Sequence, residues 1–189
     1  MTETVINTET ELKLSVADHD LPQLRQAIAG WDDQQPGTTG SLSSIYYDTA
    51  DYQLCRRRVT LRVRRVGDHF IQTVKGAGDH TVGLTRDEWE WPVAGPTPEL
   101  SVIVEPDAWA QLGPLMADQL RPVFETRIDR AIHWLAAGAV ELAIDSGQIQ
   151  AGGTTLTVAE IELELKRGSA AVLFDYARAL NQVAPVRFS

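Results

Sequence analysis

The chain has 189 residues, of which 43% are hydrophobic and 23% charged, and this is enough for one medium-sized domain with a real core. Its 17 basic and 26 acidic residues give a formal net charge of −9, which argues against general binding to nucleic acid or anionic membranes but leaves room for a small polyanion. Cys55 is the single cysteine, so no intrachain disulfide can form, and a reducing cytoplasm is the expected location.

The first predicted element is a strand over residues 8–16, in which charged and apolar residues alternate. Side chains two residues apart on a strand share a face, so Glu9, Glu11 and Lys13 lie on the same side. The plain alternative is a strand with one solvated face. Only the recurrence of this charge pattern in other strands weighs against that alternative.

A helix, a loop and three strands follow. Apolar residues at helical spacing begin at Leu21, and the helix is predicted to end at Gly30. Residues 35–40 contain proline and glycine and are predicted to form a loop. The predicted strands cover residues 43–48, 59–66 and 70–75, and the last two form a hairpin.

Cations occupy one face of this hairpin. Arg62 and Arg64 alternate with Leu61 and Val63, and Lys75 follows in the paired strand. Guanidinium groups match phosphate oxygens bidentately, and a lysine adds a point charge. A salt-bridged sheet face would have the same composition, so both interpretations stay open here.

A glycine-rich turn over residues 76–80 precedes a strand predicted for residues 84–93. Arg86, Glu88 and Glu90 share one face of that strand. This mixture fits either cross-strand ion pairs or a site for metal and phosphate together.

The second half of the chain begins with a helical segment over residues 104–120, interrupted at Gly113 and Pro114. Strands are predicted around 124–136, 140–144 and 160–166, with two more short strands punctuated by Gly147, Gly152 and Gly153. An amphipathic helix is predicted to start after Ser169. About eight strands in hairpin order, with a few helices, predict an α+β fold built on an eight-stranded antiparallel β-barrel.

Two groups of charged residues lie in these later strands. Arg127 and Arg130 point to opposite faces of a regular strand, unless a bulge turns both inward. Asp145 is either a turn former at a hairpin or a ligand.

A row of three carboxylates, Glu160, Glu162 and Glu164, lies on one face of the last strand. Three like charges on one strand face repel each other, and a cation between them would explain why they are tolerated. Carboxylate oxygens are hard ligands that suit Mg²⁺ or Mn²⁺, often shared with substrate phosphates. A barrel with both signs of charge on its strand faces therefore suggests a cavity for a polyanion held together with divalent metal.

In chain order these residues resemble the CYTH family, also called triphosphate tunnel metalloenzymes. The resemblance rests on an ordered set of motifs that covers nearly the whole chain: Glu9-x-Glu11-x-Lys13, Tyr46-Tyr47-Asp48-Thr49, Leu61-Arg62-Val63-Arg64, Thr73-Val74-Lys75, Arg86-x-Glu88-Trp89-Glu90, Phe124-x-Thr126-x-x-x-Arg130, Asp145-x-Gly147-x-Ile149-x-Ala151-Gly152 and Glu160-Ile161-Glu162-Leu163-Glu164-Leu165. The closing segment is most similar to the bacterial inorganic triphosphatase branch.

The resemblance implies a tunnel that binds a triphosphate through cations and metal through carboxylates. The implied metal ligands for Mg²⁺ or Mn²⁺ are Glu9, Glu11, Glu160, Glu162 and Glu164. The implied phosphate-binding residues are Lys13, Arg62, Arg64, Lys75, Arg86, Arg127 and Arg130. The implied catalytic residues, which orient cations, bind metal or position water, are Glu88, Glu90, Asp145 and Lys13.

The implied activity is metal-dependent hydrolysis of inorganic triphosphate to pyrophosphate and phosphate. The alternatives are hydrolysis of thiamine or nucleoside triphosphates, cyclisation of ATP, a non-catalytic polyphosphate-binding module, and a β-domain whose charges pair on a solvated face. The resemblance also implies a single CYTH domain over residues 1–189, a possible homodimer, and a natural chain that continues into a helical CHAD domain after an excision or truncation point.

Overall fold

The computed structural model describes residues 7–77 and 85–189, so part of the predicted glycine-rich turn and residue 84 lie outside it. The strands are β1 Asn7–Val16, β2 Gln35–Asp48, β3 Thr60–Val66, β4 His69–Lys75, β5 Thr85–Val93, β6 Arg121–Leu135, β7 Val140–Ala151, β8 Thr154–Leu165 and β9 Val186–Phe188. The α-helices are α1 Leu21–Ala29, α2 Gln53–Arg56, α3 Pro106–Leu112 and α4 Ala171–Val183.

The strands pair in the order β5-β4-β3-β2-β6-β7-β8-β1-β9. A further pairing of β5 with β1 closes the first eight strands into a ring, and β9 adds to β1. The pairs whose register is defined are antiparallel. The predicted eight-stranded antiparallel β-barrel with flanking helices is therefore confirmed.

Contacts between Cα atoms divide the chain into two compact units. Unit 1 comprises the described parts of residues 1–9, 42–127 and 149–155. Unit 2 comprises residues 10–41, 128–148 and 156–189. Several strands contribute residues to both units, so sequence order alone does not separate them.

In unit 1, alternation gives the sheet of β2 to β5 one apolar and one polar face. Leu61, Val74 and Trp89 lie on the apolar face, where they are almost fully buried with Ala108 and Leu112 of α3. Burial of this face supplies the main driving force for the unit.

The opposite face of the unit 1 sheet is polar, yet much of it is also buried. Ser44, Arg62 and Thr73 are 2%, 9% and 1% exposed. Burial of a polar group costs free energy unless the group is hydrogen-bonded or paired. The polar residues on this face therefore require hydrogen bonds and ion pairs with one another.

In unit 2, β1 and β8 pair so that Leu12 lies opposite Leu163 and Leu14 opposite Ile161. These four side chains are buried, and two helices of the same unit also bury apolar residues. The helical contributors are Leu21, Leu24 and Ile28 of α1 and Leu173, Ala177 and Leu180 of α4. The charged residues of β1 and β8 alternate with these leucines, so they lie on the other face.

The predicted loop over residues 35–40 is wrong, because these residues form the first half of β2. Gly37 explains the error. A Cβ atom at Gly37 would lie 2.8 Å from the Cγ2 atom of Ile132, so the glycine serves a close approach between strands and not a turn.

The predicted break at Gly147 is also wrong, because β7 continues through it to Ala151. The helical segment predicted for residues 104–120 contains α3, which ends at Gly113 with φ +71°, and a short 3-10 helix at Ala117–Gln119. A non-glycine residue rarely adopts that left-handed conformation, so Gly113 ends the helix where the sequence indicated an interruption.

Candidate active site: two clusters of buried ion pairs

The polar face of unit 1 holds a group of ion pairs that we call the Arg62 cluster: Glu9, Arg62, Lys75, Glu88 and Glu90. The Nζ atom of Lys75 lies 2.6 Å from Glu9 Oε2 and 3.4 Å from Glu88 Oε2. The Nη2 atom of Arg62 lies 3.3 Å from Glu88 Oε1 and 3.8 Å from Glu90 Oε1. Glu88 therefore lies between two cations.

Strand register explains why these side chains meet. Arg62 lies opposite Thr73, and Thr73 lies opposite Glu90. Lys75 lies opposite Glu88. The hydroxyl of Thr73 donates a hydrogen bond of 2.9 Å to Glu90 Oε1 and holds that carboxylate beside Arg62.

Arg62 has a buried donor that none of these ion pairs uses. Its side chain is 10% exposed, and its buried Nε–H has no hydrogen-bond acceptor among the described residues. A buried donor without an acceptor costs on the order of 1–3 kcal/mol. An anionic ligand on this face would supply the missing acceptor, and its charge would suit a guanidinium group.

The pKa of Glu88 is raised from 4.5 to about 7. Burial is the largest cause and the nearby carboxylates of Glu9 and Glu90 add to it, while Lys75 and Arg62 act in the opposite direction. Glu88 is therefore a carboxyl group that exchanges its proton near neutral pH. A group with such a pKa is suited to general acid–base chemistry.

We expect Glu88→Gln to remove a pH-dependent loss of stability. Between pH 4.5 and about 7 the unfolded chain has released the Glu88 proton while the folded chain retains it, so the wild type loses stability relative to the variant as pH rises. Above that range the difference levels off. Urea denaturation of both proteins at a series of pH values measures it. Asp87→Asn, an exposed carboxylate on the same strand, serves as the control, and a flat difference for Glu88→Gln would contradict the assignment.

Unit 2 contains the Arg130 cluster: Lys13, Arg130, Asp145, Glu160 and Glu162. The guanidinium of Arg130 is bidentate on Asp145, with Nε 2.8 Å from Oδ1 and Nη2 2.5 Å from Oδ2. The same Nη2 atom lies 2.5 Å from Glu162 Oε2. Lys13 Nζ lies 2.5 Å from Glu162 Oε1 and 3.4 Å from Glu160 Oε2. Glu162 thus joins the two cations.

These contacts hold both cations in the charged form. Burial by itself would lower the pKa of Lys13, but Glu162, Glu160 and Glu11 outweigh it and raise that pKa. Burial likewise opposes the charge on Arg130, but the hydrogen bond that Arg130 donates to Asp145 and the charge of Glu162 raise its pKa.

More carboxylates lie beside this cluster in unit 2. Glu11 is directly opposite Glu164 in the pairing of β1 with β8. Lys166 Nζ lies 2.7 Å from Glu164 Oε2 and 3.2 Å from Glu141 Oε2. Like charges directly opposite each other destabilise a sheet, so the pair of Glu11 and Glu164 favours a cation nearby.

The remaining predicted site residues are distributed as follows. Arg64 Nε donates a 3.3 Å hydrogen bond to Ser44 Oγ on the polar face of unit 1, and alternation places Arg86 on the face of β5 that carries Glu88. Arg127 is 68% exposed and its Nη2 atom lies 3.9 Å from Glu125 Oε2, so in the part of the chain that the structure describes it joins neither cluster. A regular strand carries Arg127 and Arg130 on opposite faces, and β6 follows that rule.

Asp145 is not a turn former, which corrects one of the two interpretations left open by its sequence. It lies inside β7, and its side chain is 7% exposed. The glycine two residues later gave the appearance of a turn, but the strand continues because its backbone pairs with both neighbours. Asp145 orients Arg130 instead.

Sequence reasoning missed Thr73, Glu141 and Lys166 as members of these groups. Lys166 continues the alternation of Glu160, Glu162 and Glu164, and Glu141 shares a face of β7 with Asp145. The period-two pattern contains both, since Lys166 is one two-residue step after Glu164 and Glu141 is two such steps before Asp145.

The donor chemistry of unit 2 fits a divalent metal. Within residues 7–77 and 85–189, no three His, Cys, Asp or Glu side chains are grouped so as to hold an ion by themselves. Mg²⁺ is commonly bound by one or two carboxylates, with its other ligands supplied from outside the protein, and the opposed pair of Glu11 and Glu164 offers carboxylates of this type. None of the helices in the described residues is long and apolar enough to cross a membrane.

Comparisons with known proteins agree with this architecture. The model of the CYTH domain matches residues 7–188. An inorganic triphosphatase from Haemophilus influenzae is 30% identical over 192 aligned positions, which cover 99% of this chain and 53% of that protein. The chain therefore spans about half the length of this curated relative.

Two solved structures have the same fold. An adenylyl cyclase candidate from Hippeastrum, described as having a dominant triphosphatase activity, superposes with a TM-score of 0.70 at 20% identity, covering 96% of this chain and 90% of that chain. An adenylate cyclase candidate from Bacillus halodurans gives 0.66 at 20% identity, covering 95% and 91%. At this identity the likeness concerns the fold alone.

Proposed function

Because the chain belongs to the CYTH domain family, we propose that it hydrolyses inorganic triphosphate to pyrophosphate and phosphate with the help of Mg²⁺ or Mn²⁺. The similarity to the Haemophilus influenzae inorganic triphosphatase supports a hydrolase acting on triphosphates. The choice of the inorganic substrate is the finer part of the proposal.

The observation that carries the proposal is the state of Arg62. It is a buried cation on a polar sheet face, it is held by Glu88, and its buried Nε–H meets no acceptor within residues 7–77 and 85–189. Lys75 lies in the same cluster and is also largely buried. Buried cations with unused donor capacity are suited to phosphate oxygens, which carry several acceptor sites and negative charge.

Phosphoryl transfer from triphosphate needs positioning and charge neutralisation more than covalent catalysis. Taking each unit by itself, we assign phosphate binding to Arg62 and Lys75 in unit 1 and to Lys13 and Arg130 in unit 2. Glu162 and Asp145 keep Lys13 and Arg130 charged and fixed in direction, so little reorganisation is needed when charge develops.

Glu88 is our candidate for orienting the attacking water and accepting its proton. Its pKa of about 7 keeps both protonation states accessible near neutral pH. Glu90 is 51% exposed and bonded to Thr73, so we assign it to holding Arg62.

The carboxylates of unit 2 are the proposed metal ligands, with Glu11 and Glu164 as the central pair. When bound, a divalent ion would neutralise charge on the phosphate oxygens and stabilise the negative charge that develops on the leaving group. Glu160 and Glu162 already contact Lys13, so they act on the metal chiefly by adding negative charge to its surroundings.

A substrate panel tests this proposal. Inorganic triphosphate, ATP and thiamine triphosphate are each incubated with the protein and Mg²⁺, Mn²⁺ or a chelator, and phosphate, pyrophosphate and cyclic nucleotide are measured. We expect equal amounts of phosphate and pyrophosphate from inorganic triphosphate with metal, and background release with the chelator.

Other outcomes of the panel would replace the proposal by a specific alternative. Cyclic nucleotide from ATP would show a cyclase, and preferred cleavage of an organic triphosphate would change the substrate. Tight triphosphate binding without product under every metal condition would show a binding module. The cytoplasmic location and the homodimer remain predictions.

A further inference from the structure

Lys166 is the one cation of unit 2 described above that neither the motif pattern nor the proposed phosphate contacts account for. It follows β8 directly and contacts two carboxylates, Glu164 and Glu141. Its own backbone N–H donates to the carbonyl of Ala139 at 2.9 Å. This hydrogen bond fixes the backbone of Lys166, and with it the position from which the side chain extends.

The surroundings of Lys166 are rich in negative charge. The contacts and the strand register given above link six carboxylates with three cations in unit 2, so three negative charges remain in excess. The carboxylates are those of Glu11, Glu141, Asp145, Glu160, Glu162 and Glu164, and the cations are Lys13, Arg130 and Lys166. Such a group favours a further cation beside it. Without Lys166 the excess would increase next to Glu164, which is 20% exposed.

We propose that Lys166 is an internal counter-cation that competes with divalent metal for Glu164. This inference rests on the proposed metal-dependent function. The ammonium group lies 2.7 Å from Glu164 Oε2, which is the carboxylate directly opposite Glu11. Lys166 therefore neutralises the opposed pair from one side in the absence of metal, and metal binding at Glu164 has to overcome that ion pair.

The consequence is a weakened affinity for free metal. An ion that comes with triphosphate brings additional oxygen ligands, so it can replace the ammonium group where the free ion binds less readily. Glu141 gives the released ammonium an alternative partner at 3.2 Å. Lys166 is a positioning residue in this account, because it acts through Glu164 and not on the substrate.

Calorimetric titration with Mn²⁺, without substrate, tests the inference. Lys166→Gln keeps an unbranched polar side chain, one atom shorter than lysine, and removes its charge. We expect it to bind Mn²⁺ about tenfold more tightly or better, because a like charge a few ångströms away is lost. Lys166→Arg retains the charge and is expected to bind Mn²⁺ as the wild type does. Arg167→Gln, which removes a neighbouring charge bonded to the Ala137 carbonyl, controls for general electrostatics and is expected to leave the affinity within about twofold.

Unchanged or weaker Mn²⁺ binding by folded Lys166→Gln would overturn the inference and would show a purely structural tie between β8 and β7. Should that variant fail to fold, the wild type gives the answer. Its lysine ¹⁵Nζ resonances, with Lys166 identified from the spectrum of Lys166→Arg, are recorded during an Mg²⁺ titration. A shift of the Lys166 signal supports the displacement, and an unmoved signal at saturating Mg²⁺ refutes it.

The two proposals fail differently. Phosphate release that requires metal, together with unaltered Mn²⁺ affinity in Lys166→Gln, overturns the role of Lys166 alone. Phosphate release that is the same with and without the chelator overturns the metal-dependent function, and the inference falls with it.

Discussion

Replacement of Arg62 by methionine is expected to reduce kcat/KM for inorganic triphosphate by about 10²–10³-fold, the usual effect of removing one preorganised donor from a charged transition state. Methionine keeps an unbranched side chain in a site that is 10% exposed, so the apolar packing of the stem is largely retained. The change removes the guanidinium group and with it the buried Nε–H that has no acceptor among the described residues.

Arg62→Lys separates charge from geometry. A lysine keeps the positive charge but has no planar fork, so bidentate recognition of a phosphate is lost while Coulomb attraction remains. We expect its activity to lie between those of the wild type and Arg62→Met. Steady-state kinetics on inorganic triphosphate measure both variants, with circular dichroism as the check of folding.

Arg65→Met is the matched control for Arg62→Met. Arg65 lies on the same strand but is 60% exposed, and its Nη2 atom lies 3.7 Å from Asp68. It belongs to neither cluster, so we expect kcat/KM within about twofold of the wild type, as for most surface substitutions. Equal activities of Arg62→Met and Arg65→Met would remove Arg62 from the substrate site.

The second large effect concerns stability. Arg130→Met is expected to lower the free energy of unfolding by about 3–5 kcal/mol, the typical cost of removing one partner of a buried ion pair. Arg130 forms ion pairs with Asp145, whose side chain is 7% exposed, and with Glu162, whose side chain is 15% exposed. The variant leaves the Asp145 carboxylate buried without the bidentate partner that compensates its desolvation.

Urea denaturation of Arg130→Met and Arg127→Met provides the comparison. Both arginines lie on β6, but Arg127 is 68% exposed and its Nη2 atom lies 3.9 Å from Glu125 Oε2, so its loss should change stability by no more than about 0.5 kcal/mol. A difference between the two variants of less than about 1 kcal/mol would contradict the role assigned to the Arg130 cluster.

A double variant identifies the source of the loss. Asp145→Asn in the Arg130→Met background removes the stranded charge, so it should recover part of the stability, whereas Asp145→Asn alone should destabilise the chain. The interaction energy from this cycle isolates the pair of Arg130 and Asp145. A partial recovery of the free energy of unfolding in the double variant would show that the unpaired Asp145 charge causes the loss, because a packing defect at residue 130 would persist in that variant.

The period-two alternation was sufficient to predict which residues of the strands share a face. Glu9, Glu11 and Lys13 share a side of β1, and Leu12 and Leu14 are buried on the other. The pattern works because the pleat of a strand fixes side-chain direction locally, without reference to the partner strand. The motif order added the family and the fold, which the strand order and the family comparison confirm.

Local signals failed where a residue served a distant contact. Gly37 has the local signature of a loop residue, yet it permits β2 to approach Ile132. Asp145 and Gly147 had the composition of a turn, yet they continue β7. Glycine and aspartate occur both in turns and inside strands, and only the pairing with a neighbouring strand decides between these two conformations.

The sequence by itself determined the barrel class, the alternation of charged and apolar faces, and the residue types available for phosphate and metal. Only the tertiary structure decided the pairing: Glu88 between Lys75 and Arg62, Glu162 between Lys13 and Arg130, and Lys166 on Glu164. Ion pairs depend on register and burial, which arise from strands far apart in the chain. The same charges on a solvated sheet would have had ordinary pKa values and little energetic weight.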